Sequence, residues 1–275
     1  MNNKKVILVT GASSGIGKVT TLQLIKEGHI VYGAARRVEK MKELEDAGGH
    51  SIGMDVLVED QMQAVINQIF DEQGRIDVLV NNAGYAIYGS VEDITIDEAR
   101  RQFEVNIFGL ARLTQLVLPL MREQKSGTII NVSSVGGKIF SPLGAWYHAT
   151  KHALEGWSDC LRIELDQFGI DVVVIEPGPI KTEFTDGVNQ PMLDRSANGP
   201  YEDLAKKVDK AAIEAYTNKN QHSGPEVVSN TILKAISSSK PKTRYASGKM
   251  SGLLLFMRKW LSDRAFQKVL MSQMK

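Results

Sequence analysis

The sequence has few of the residues that would indicate a cross-linked, membrane-spanning or nucleic-acid-binding chain. Cys160 is its one cysteine, so no intrachain disulfide can form, which fits a reducing compartment such as the cytoplasm. No run approaches the roughly 18 uninterrupted apolar residues of a spanning helix. A short polar lead enters the first candidate strand without the apolar core of a signal peptide. Lys and Arg number 33 against 32 Asp and Glu, so charge does not favour a nucleic-acid partner.

What the sequence does contain is a regular alternation of short apolar runs and helical patterns. Its 275 residues suffice for one large α/β domain. The apolar, β-branched runs within the first 178 residues predict six strands, at Val6–Thr10, 29–34, 51–56, 76–80, 128–133 and 170–176. Strands that alternate with helices in this way predict a doubly wound parallel sheet of the Rossmann type. We expect a single domain, with a core at 1–182 and a substrate loop, helices and a possible edge strand at 183–275.

A glycine-rich turn joins the first predicted strand to a helix at 18–28. Gly11, Gly15 and Gly17 have the spacing G-x-x-x-G-x-G. A strand, such a turn and a helix together present backbone N–H groups and a helix N-terminus to a phosphate. Ser13 and Ser14 add hydroxyl groups that could reach the same ligand, although serine also simply favours turns. The stretch therefore predicts a dinucleotide-binding site.

The end of the second predicted strand indicates which dinucleotide would bind. An acidic residue here would hold the ribose 2′-hydroxyl of NAD, but the sequence continues with Arg36 and Arg37. Guanidinium groups bind a 2′-phosphate through charge-assisted hydrogen bonds. This favours NADP(H) over NAD(H); the alternative is a solvated basic turn.

A second constellation carries acid–base chemistry. Tyr147 and Lys151 are four residues apart in a predicted helix at 141–168, so both can face one pocket. A nearby ammonium would lower the phenol pKa from about 10, and Ser134 could hydrogen-bond a reacting carbonyl or alcohol oxygen. The same spacing also occurs by chance. Asn106 lies inside a long predicted helix at 95–119, where its low helix propensity suggests a special role.

Taken in order, these motifs resemble the classical short-chain dehydrogenase/reductase family. The matching residues are TGASSGIG (10–17), Asp55, NNAG (81–84), Asn106, Ser134, Tyr147, Lys151 and PGPIKT (177–182). They spread over about two-thirds of the chain, and several motifs in order are far more specific than any one of them.

The resemblance implies how a nicotinamide cofactor would be held. The glycines would face the pyrophosphate, and Asp55 and Val56 the adenine. Asn82 and Ala83 would line the adenosine side, and the NNAG turn would brace the sheet. The residues implied in cofactor contact are Gly11, Ser13, Ser14, Gly15, Ile16, Gly17, Asp55, Val56, Asn82, Ala83, Gly84, Tyr147, Lys151, Pro177, Gly178, Ile180 and Thr182. In family members with Arg at the position of Arg36 the cofactor is NADP(H); Arg37 is a second candidate.

The resemblance also implies a reaction, the interconversion of a ketone or aldehyde and an alcohol. Tyr147 would be the acid/base, and Lys151 would lower its pKa and hold the nicotinamide ribose. Ser134 would polarise the substrate oxygen, and Asn106 would bend its helix and anchor a relay water toward Lys151. Members commonly form dimers or tetramers. The alternatives are a catalytically silent NAD(P)-sensing regulator, a 3-oxoacyl-thioester reductase and an epimerase or dehydratase.

The last third of the chain is less readable. Residues 183–200 predict a mobile loop, followed by helices at 201–216 and 226–237 and an edge strand at 242–246. Apolar residues around the expected substrate lid make the chain similar to members that act on steroids, retinoids or other lipophilic carbonyls: Ile139, Phe140, Leu143, Phe184 and Met192. The mixed apolar and basic residues at 251–275 indicate a helix packed over the site or on a subunit, or one lying on a membrane.

Two histidines have a spacing seen in zinc sites. His148 and His152 are four residues apart, but the sequence offers no glutamate-rich partner set or second cysteine. We expect packed or surface histidines and no metal.

Overall fold

A seven-stranded parallel sheet forms the centre of the molecule, as the strand–helix alternation predicts. The computed structural model describes residues 4–274, with the backbone alone at 185 and 186; residues 1–3 and 275 of the predicted domain lie outside the described residues. The strands are β1 Val6–Thr10, β2 Ile30–Ala35, β3 His50–Gly53, β4 Val78–Asn81, β5 Gly127–Val132, β6 Ile170–Pro177 and β7 Arg244–Ser247. Their order is β3-β2-β1-β4-β5-β6-β7. The order reverses between β1 and β4, so a crevice opens at their carboxyl ends.

Helices cover both faces of this sheet. Their bounds are α1 Gly15–Lys26, α2 Lys42–Asp46, α3 Glu59–Gln73, α4 Ile96–Phe103, α5 Leu110–Gln124, α6 Ala145–Asp166, α7 Glu183–Asp186, α8 Asn189–Ser196, α9 Glu202–Thr217, α10 Pro225–Ser237, α11 Ser251–Trp260 and α12 Asp263–Ser272. One core layer joins the sheet to α3, α5 and α6. The other joins it to α1 and α10. The five inner strands are buried between these layers, which explains their apolar runs, whereas the edge strands β3 and β7 are only partly buried.

The helix from Ile96 to Gln124 is continuous but not regular. A π-helical segment, Glu104–Gly109, separates α4 from α5. This helix has 29 residues, and an 18-residue window within it has a mean hydropathy of 1.2, so by length and composition alone it could cross a membrane. A buried core helix meets the same criterion, and Leu113, Val117 and Met121 are fully buried against the sheet. We therefore interpret it as a core element.

Two predicted elements differ from the structure. The third strand ends at Gly53 instead of residue 56, because the Met54 N–H still bonds to the Ala35 carbonyl but Asp55 already starts the turn into α3. The predicted loop at 183–200 contains the helices α7 and α8. Its Pro191 lies in the first turn of α8, where a missing N–H costs nothing, and Met192 is buried against Leu143.

The carboxyl-terminal segment packs on the loop that follows β5. Phe266 of α12 is fully buried with Val135 and Ile139. Its ring also meets the Phe140 ring edge-on, at 5.3 Å between centroids. The predicted packing is thus present, as two helices instead of one. The predicted edge strand is present too, as β7 paired parallel to β6.

Candidate active site

Tyr147 and Lys151 lie in the first turns of α6, beside the carboxyl end of β5. The Lys151 ammonium donates a hydrogen bond to the Val132 carbonyl at 2.9 Å and lies 6.0 Å from the centre of the Tyr147 ring. Burial lowers the pKa of Lys151 to about 8, while the nearby Glu155 carboxylate opposes this change. The strand end therefore holds the amine within reach of the phenol, as the four-residue spacing predicts.

Ser134 joins this pair from the end of β5. Its extended backbone starts a 3₁₀ turn, Val135–Gly137, and its hydroxyl accepts a hydrogen bond from the Gly136 N–H at 3.0 Å. The Ser134 hydroxyl is close enough to the Tyr147 hydroxyl to interact with it, which favours the phenolate. Burial of the Tyr147 hydroxyl is the larger effect and raises its pKa. The structure thus does not show the lowered pKa that the sequence predicts, because loss of solvent outweighs the neighbouring groups.

Asn106 holds the loop after β4 against α6. Its side-chain amide donates to the Tyr85 carbonyl at 2.9 Å and to the Thr150 hydroxyl at 3.1 Å, and its oxygen accepts from the Tyr85 N–H at 3.1 Å. Asn106 lies in the π-helical segment, so the predicted irregularity of its helix is present. These bonds use both amide N–H groups and one of the two acceptor positions of the oxygen; the relay toward Lys151 stays a prediction.

The glycine turn lies between β1 and α1, where two φ angles are positive: +68° at Gly11 and +52° at Gly15. A side chain at Gly17 would stand 2.3 Å from the Gly11 carbonyl oxygen, so only glycine fits. The Ser14 side chain makes no capping bond, and the first turn of α1, within the described residues, has no acidic side chain. The N–H groups in the first turn of α1, and the positive end of the helix dipole, are therefore available to an anion.

Thr10 connects this turn to the NNAG segment, although the motifs alone suggest no role for its side chain. Its hydroxyl accepts hydrogen bonds at 3.0 Å from the N–H groups of both Asn82 and Ala83. The Asn82 amide donates back to the Thr10 carbonyl at 2.9 Å. The position of Thr10, last in a buried strand and first in the motif, was the available signal. Neighbouring Gly84 lies against Asn106, whose amide oxygen would stand 3.1 Å from a Cβ at position 84.

The two arginines after β2 differ in their surroundings. The Arg37 guanidinium lies 3.5 Å from the Ser13 hydroxyl and 3.3 Å from that of Ser14, and 3.8 Å from the Glu183 carboxylate. Arg36 is exposed, and within residues 4–274 no hydrogen bond or ion pair is seen for its guanidinium. Arg37 therefore lies beside the glycine turn, whereas Arg36 follows β2 with an exposed side chain, and the 2′-phosphate site stays a prediction.

The remaining predicted cofactor residues border the same crevice. Asp55 accepts from the Leu57 N–H at 3.0 Å, and Val56 is buried near Gly109. After β6, the Gly178 N–H bonds to the Ser247 carbonyl at 2.8 Å, and Ile180 is buried. The Thr182 side chain packs over Gly15, 3.3 Å from the place of a Cβ there. Two further members of the set stand at element ends: Ile16 at the start of α1 and Pro177 at the end of β6.

Aromatic rings surround the candidate acid/base. The rings of Tyr88 and Phe184 each lie 6.0 Å from that of Tyr147, and burial raises the pKa of Tyr88. Tyr216 is close enough to interact electrostatically with Tyr147, and burial raises its pKa to about 12. Tyr88 also borders a cavity of about 280 Å³ formed by residues 85–88, by Val188 just before α8 and by Pro191 within α8. The sequence did not predict Tyr88 and Tyr216 as site residues, because neither belongs to a recognisable short motif.

The two histidines make separate hydrogen bonds. His148 bridges the Ser141 hydroxyl and the Gly136 carbonyl, both at 2.8 Å, and so holds the loop that carries Ser134. His152 bonds to the His148 carbonyl at 2.9 Å. Among the described residues, no group of three or more histidine, cysteine or acidic side chains is arranged to hold a metal ion.

Comparison with known proteins decides the family. Residues 5–193 match the model of the family described as short chain dehydrogenase, which is more than half of the chain. The chain belongs to the short-chain dehydrogenase family. Like the fold, this agrees with the resemblance seen in the sequence motifs.

Individual short-chain dehydrogenases and reductases match over nearly the whole chain. A 3-ketodihydrosphingosine reductase of Bacteroides thetaiotaomicron is 36% identical, covering 97% of this chain and 96% of the relative. An NADPH-dependent 3-dehydrocapnine reductase of Ornithobacterium rhinotracheale is 32% identical, covering 98% and 96%. The crystal structure of a short-chain dehydrogenase from Streptomyces avermitilis superimposes with a TM-score of 0.78 at 33% identity, over 98% of this chain and 96% of that one.

The residues present fit the nicotinamide dinucleotide of short-chain dehydrogenases. The free helix N-terminus at Ser14 and Gly15 can bind a pyrophosphate, since nothing acidic stands in its first turn. Tyr147, Ser134 and Lys151 lie at the carboxyl edge of the same sheet, next to the crevice at the β1–β4 reversal. The arrangement can bind a dinucleotide and hold a proton donor beside it.

Proposed function

We propose that this protein is an NADP(H)-dependent oxidoreductase that interconverts a ketone and an alcohol on a lipophilic substrate. The observation that carries the proposal is that Ser134 and Tyr147 lie close enough to interact, with the Lys151 ammonium 6.0 Å from the centre of the Tyr147 ring. A silent sensor of NAD(P) would not need this set. The short-chain dehydrogenase family supports the general reaction.

In the reducing direction the protein supplies a proton and holds the carbonyl. The Tyr147 hydroxyl donates its proton to the substrate oxygen, and the Ser134 hydroxyl donates a hydrogen bond to that oxygen. Bound NADPH would supply the hydride. Lys151, charged below its pKa of about 8, stabilises the phenolate that remains. Because burial disfavours the charged phenolate, the Ser134 hydroxyl and the Lys151 ammonium are needed to offset its cost.

The surroundings of Tyr147 favour a substrate with an apolar body. Tyr88, Phe184 and Tyr216 surround the phenol. The adjoining cavity of about 280 Å³ is lined by aromatic and aliphatic side chains together with two arginines and one glutamate. The reductase from Bacteroides thetaiotaomicron is named for 3-ketodihydrosphingosine, a ketone on a long alkyl chain. We therefore propose a long-chain 3-keto compound as the first substrate to test.

The decisive experiment is a substrate panel with purified protein and NADPH. The panel contains 3-ketodihydrosphingosine, 3-dehydrocapnine, a ketosteroid, retinal, a medium-chain ketone, a 3-oxoacyl thioester and small polar sugars. We expect NADPH oxidation with a long-chain ketone and none with Tyr147→Phe. Turnover of the polar sugars alone would contradict the lipophilic substrate, and turnover of the thioester alone would favour a 3-oxoacyl-thioester reductase.

The preference for NADP(H) is argued from Arg36 and Arg37. Arg37 already contacts the hydroxyls of Ser13 and Ser14 in the turn that would hold the phosphates. Arg36, the preceding residue in the chain, has an exposed side chain. The relative from Ornithobacterium rhinotracheale, named as NADPH-dependent, supports the same choice.

Replacement of both arginines tests this preference directly. Each charge-assisted hydrogen bond contributes about 1.5–3 kcal/mol, so Arg36→Ala with Arg37→Ala should raise the Kd for NADPH by roughly tenfold to a hundredfold or more. The Kd for NADH should change by less than about threefold. Titration calorimetry measures both, with Arg100→Ala, an exposed arginine of α4, as the matched control. Equal losses for the two cofactors would remove the NADP(H) assignment.

We also propose that the protein is a homo-oligomer, a dimer or tetramer. Phe108 and Ile163 are large apolar side chains exposed on the helical layer that contains α5 and α6. Sedimentation velocity of the purified protein tests this, and a monomer at micromolar concentration would contradict it.

A further inference from the structure

The two carboxyl-terminal helices have one packed face and one apolar face in solvent. The packed face includes Phe266, with Leu254, Leu255 and Leu261 against the loop after β5. On the opposite side of α11, Leu253, Phe256 and Trp260 are 51%, 61% and 68% exposed. Their spacing of three and four residues places them on one face of the helix. They form an unpartnered strip in the described part of the chain, here called the α11 strip.

The α11 strip is a continuous surface and not a set of scattered side chains. The rings of Phe256 and Trp260 are 6.3 Å apart. The Lys259 ammonium lies 5.4 Å from the centre of the Trp260 ring, so its charge stays at the edge of the strip. Single exposed apolar residues are ordinary, but a contiguous apolar strip bordered by charge indicates an interaction surface.

The charge around the strip identifies the partner. Residues 251–275 contain five basic residues and one acidic residue, a net charge of +4, while the other 250 residues carry −3. In α12 the exposed side chains include Arg264, Lys268 and Met271 at helical spacing. Basic residues attract anionic headgroups, and Trp and Phe are favoured at the boundary between headgroups and acyl chains.

We propose that α11 and α12 dock this protein on the surface of an anionic phospholipid bilayer. Leu253, Phe256 and Trp260 enter the boundary of the acyl chains, and Lys259, Arg264 and Lys268 contact lipid phosphates. The docked helices stay packed on the Val135–Gly137 turn, which follows Ser134, so the active-site loop faces the region of the membrane. This proposal does not depend on the identity of the substrate, since it rests on the exposed side chains and their charge.

Vesicle flotation tests the proposal. Full-length protein is mixed with vesicles of phosphatidylcholine alone or with about one-third phosphatidylglycerol, at low and high salt. We expect flotation with the anionic vesicles and a loss at high salt, since salt screens the attraction of exposed charges. Absence of flotation with anionic vesicles at low salt, or equal flotation with both compositions, would overturn the proposal.

Variants of the strip make the test specific. Leu253→Ser, Phe256→Ser and Trp260→Ser combined should lower the vesicle-bound fraction by about tenfold or more, because they remove the inserted apolar area. Phe70→Ser, an exposed phenylalanine of α3, is the matched control and should float like the wild type. Circular dichroism and the melting temperature check that the triple variant is folded; if it is not, Trp260→Ser alone should still lower binding several-fold. Unchanged flotation of the folded variant would overturn the proposal.

A fluorescence measurement separates membrane docking from contact between copies. Trp260 emission should shift to shorter wavelength on vesicle addition and be quenched by brominated lipid, and Trp260→Phe should lose the shift but still float. Sedimentation velocity of the wild type and triple variant gives the competing outcome. If the wild type self-associates through the strip, and the triple variant dissociates without any difference in flotation, a second copy covers this face and the membrane proposal is wrong.

Discussion

At the scale of single residues, the proposed chemistry depends on how the Tyr147 hydroxyl is surrounded. Burial raises its pKa, and the nearby Ser134 hydroxyl opposes this effect. A phenol that keeps its proton at neutral pH suits proton donation to a carbonyl, the reducing direction. A raised pKa also makes the phenol a weaker acid, so the neighbouring Ser134 and Lys151 must favour the phenolate as the proton leaves.

Tyr147→Phe removes the hydroxyl group that would donate the proton and leaves the aromatic ring in place. General acids contribute about 10²–10⁴-fold to a rate, so kcat should fall by roughly three orders of magnitude or more. The Kd for NADPH should change little, because the ring still fills its position between Tyr88 and Phe184. Steady-state kinetics and titration calorimetry measure the two quantities.

Tyr201→Phe is the matched control, since its hydroxyl bonds to Glu92 on the surface. It should leave kcat within about twofold of the wild type, as expected for a change away from buried features. Retention of more than a tenth of wild-type kcat by Tyr147→Phe would contradict the assignment of Tyr147 as the proton donor.

At the scale of elements, the segment over the active site is held by a small number of polar contacts. Arg195 of α8 donates to Glu98 at 2.9 and 3.3 Å and to the carbonyls of Pro191 and Tyr88. Ser196 donates to Asp93 at 2.7 Å. These contacts tie α8 to the loop that carries Tyr88, so they set the shape of the cavity beside Tyr147.

Arg195→Met should loosen α8 without removing a catalytic group. Because several hydrogen bonds to one charged group are lost, KM for a long substrate should rise about threefold to tenfold, with kcat changed less. Limited proteolysis between 183 and 200 should become faster. Lys206→Met, which removes an exposed pair with Glu202 in α9, is the control for loss of a surface charge. An unchanged KM and proteolysis rate would show that Arg195 does not hold the segment.

The same region shows how far prediction from the sequence extends. Five of the six predicted strands followed from apolar runs, because a strand buried on both faces admits little else; the partly exposed edge strand β3 was predicted with the wrong end. The α7 and α8 helices were missed, since the many turn-forming residues between 183 and 200 favour a loop. Met192 and Ser196 instead fix α8 through distant partners, Leu143 and Asp93, and local composition does not contain such contacts.

The residues of the candidate site likewise fall into those that the sequence predicts and those that it does not. Motifs located Ser134 and Tyr147, because proton transfer needs those side chains at a fixed spacing on one strand end and one helix. Tyr88 and Tyr216 enter from segments with no motif, and only the folded chain brings them to Tyr147. The reacting groups could therefore be predicted from the sequence, whereas the walls of the substrate site could not.

At the scale of the whole molecule, a buried charge cluster joins α6, β6 and β7. Glu155 and Glu176 are only 2% and 4% exposed. Arg244 pairs with Glu155 at 3.0 Å and Asp159 at 2.7 Å but stays 3.9 Å from Glu176, and Lys138 pairs with Glu155 at 3.1 Å. Arg162 also pairs with Asp159 at 2.9 Å, so of the three carboxylates Glu176 is the one without a close cation. Burial, together with Glu155, raises the pKa of Glu176 from 4.5 to about 7.

This raised pKa gives the free energy of unfolding a defined pH dependence. Between about 4.5 and about 7 the folded protein holds a proton on Glu176 that the unfolded chain has released. Stability from this group is therefore complete at the acid end of that window and declines as pH rises through it. Above about pH 7 the folded protein carries an incompletely paired, buried carboxylate, which is unfavourable.

Glu176→Gln should remove this cost at alkaline pH. At pH 8 the variant should be more stable than the wild type by about 2 kcal/mol, and the gain should shrink toward pH 5, where wild-type Glu176 is protonated. Urea unfolding of both proteins at pH 5, 6, 7 and 8 gives the difference curve, in which contributions common to both, such as the histidines, cancel. Glu164→Gln, an exposed position on α6, should give a flat difference. A Glu176→Gln curve that is flat, or that shows destabilisation growing with pH, would mean that Arg244 and Lys138 neutralise this carboxylate in full.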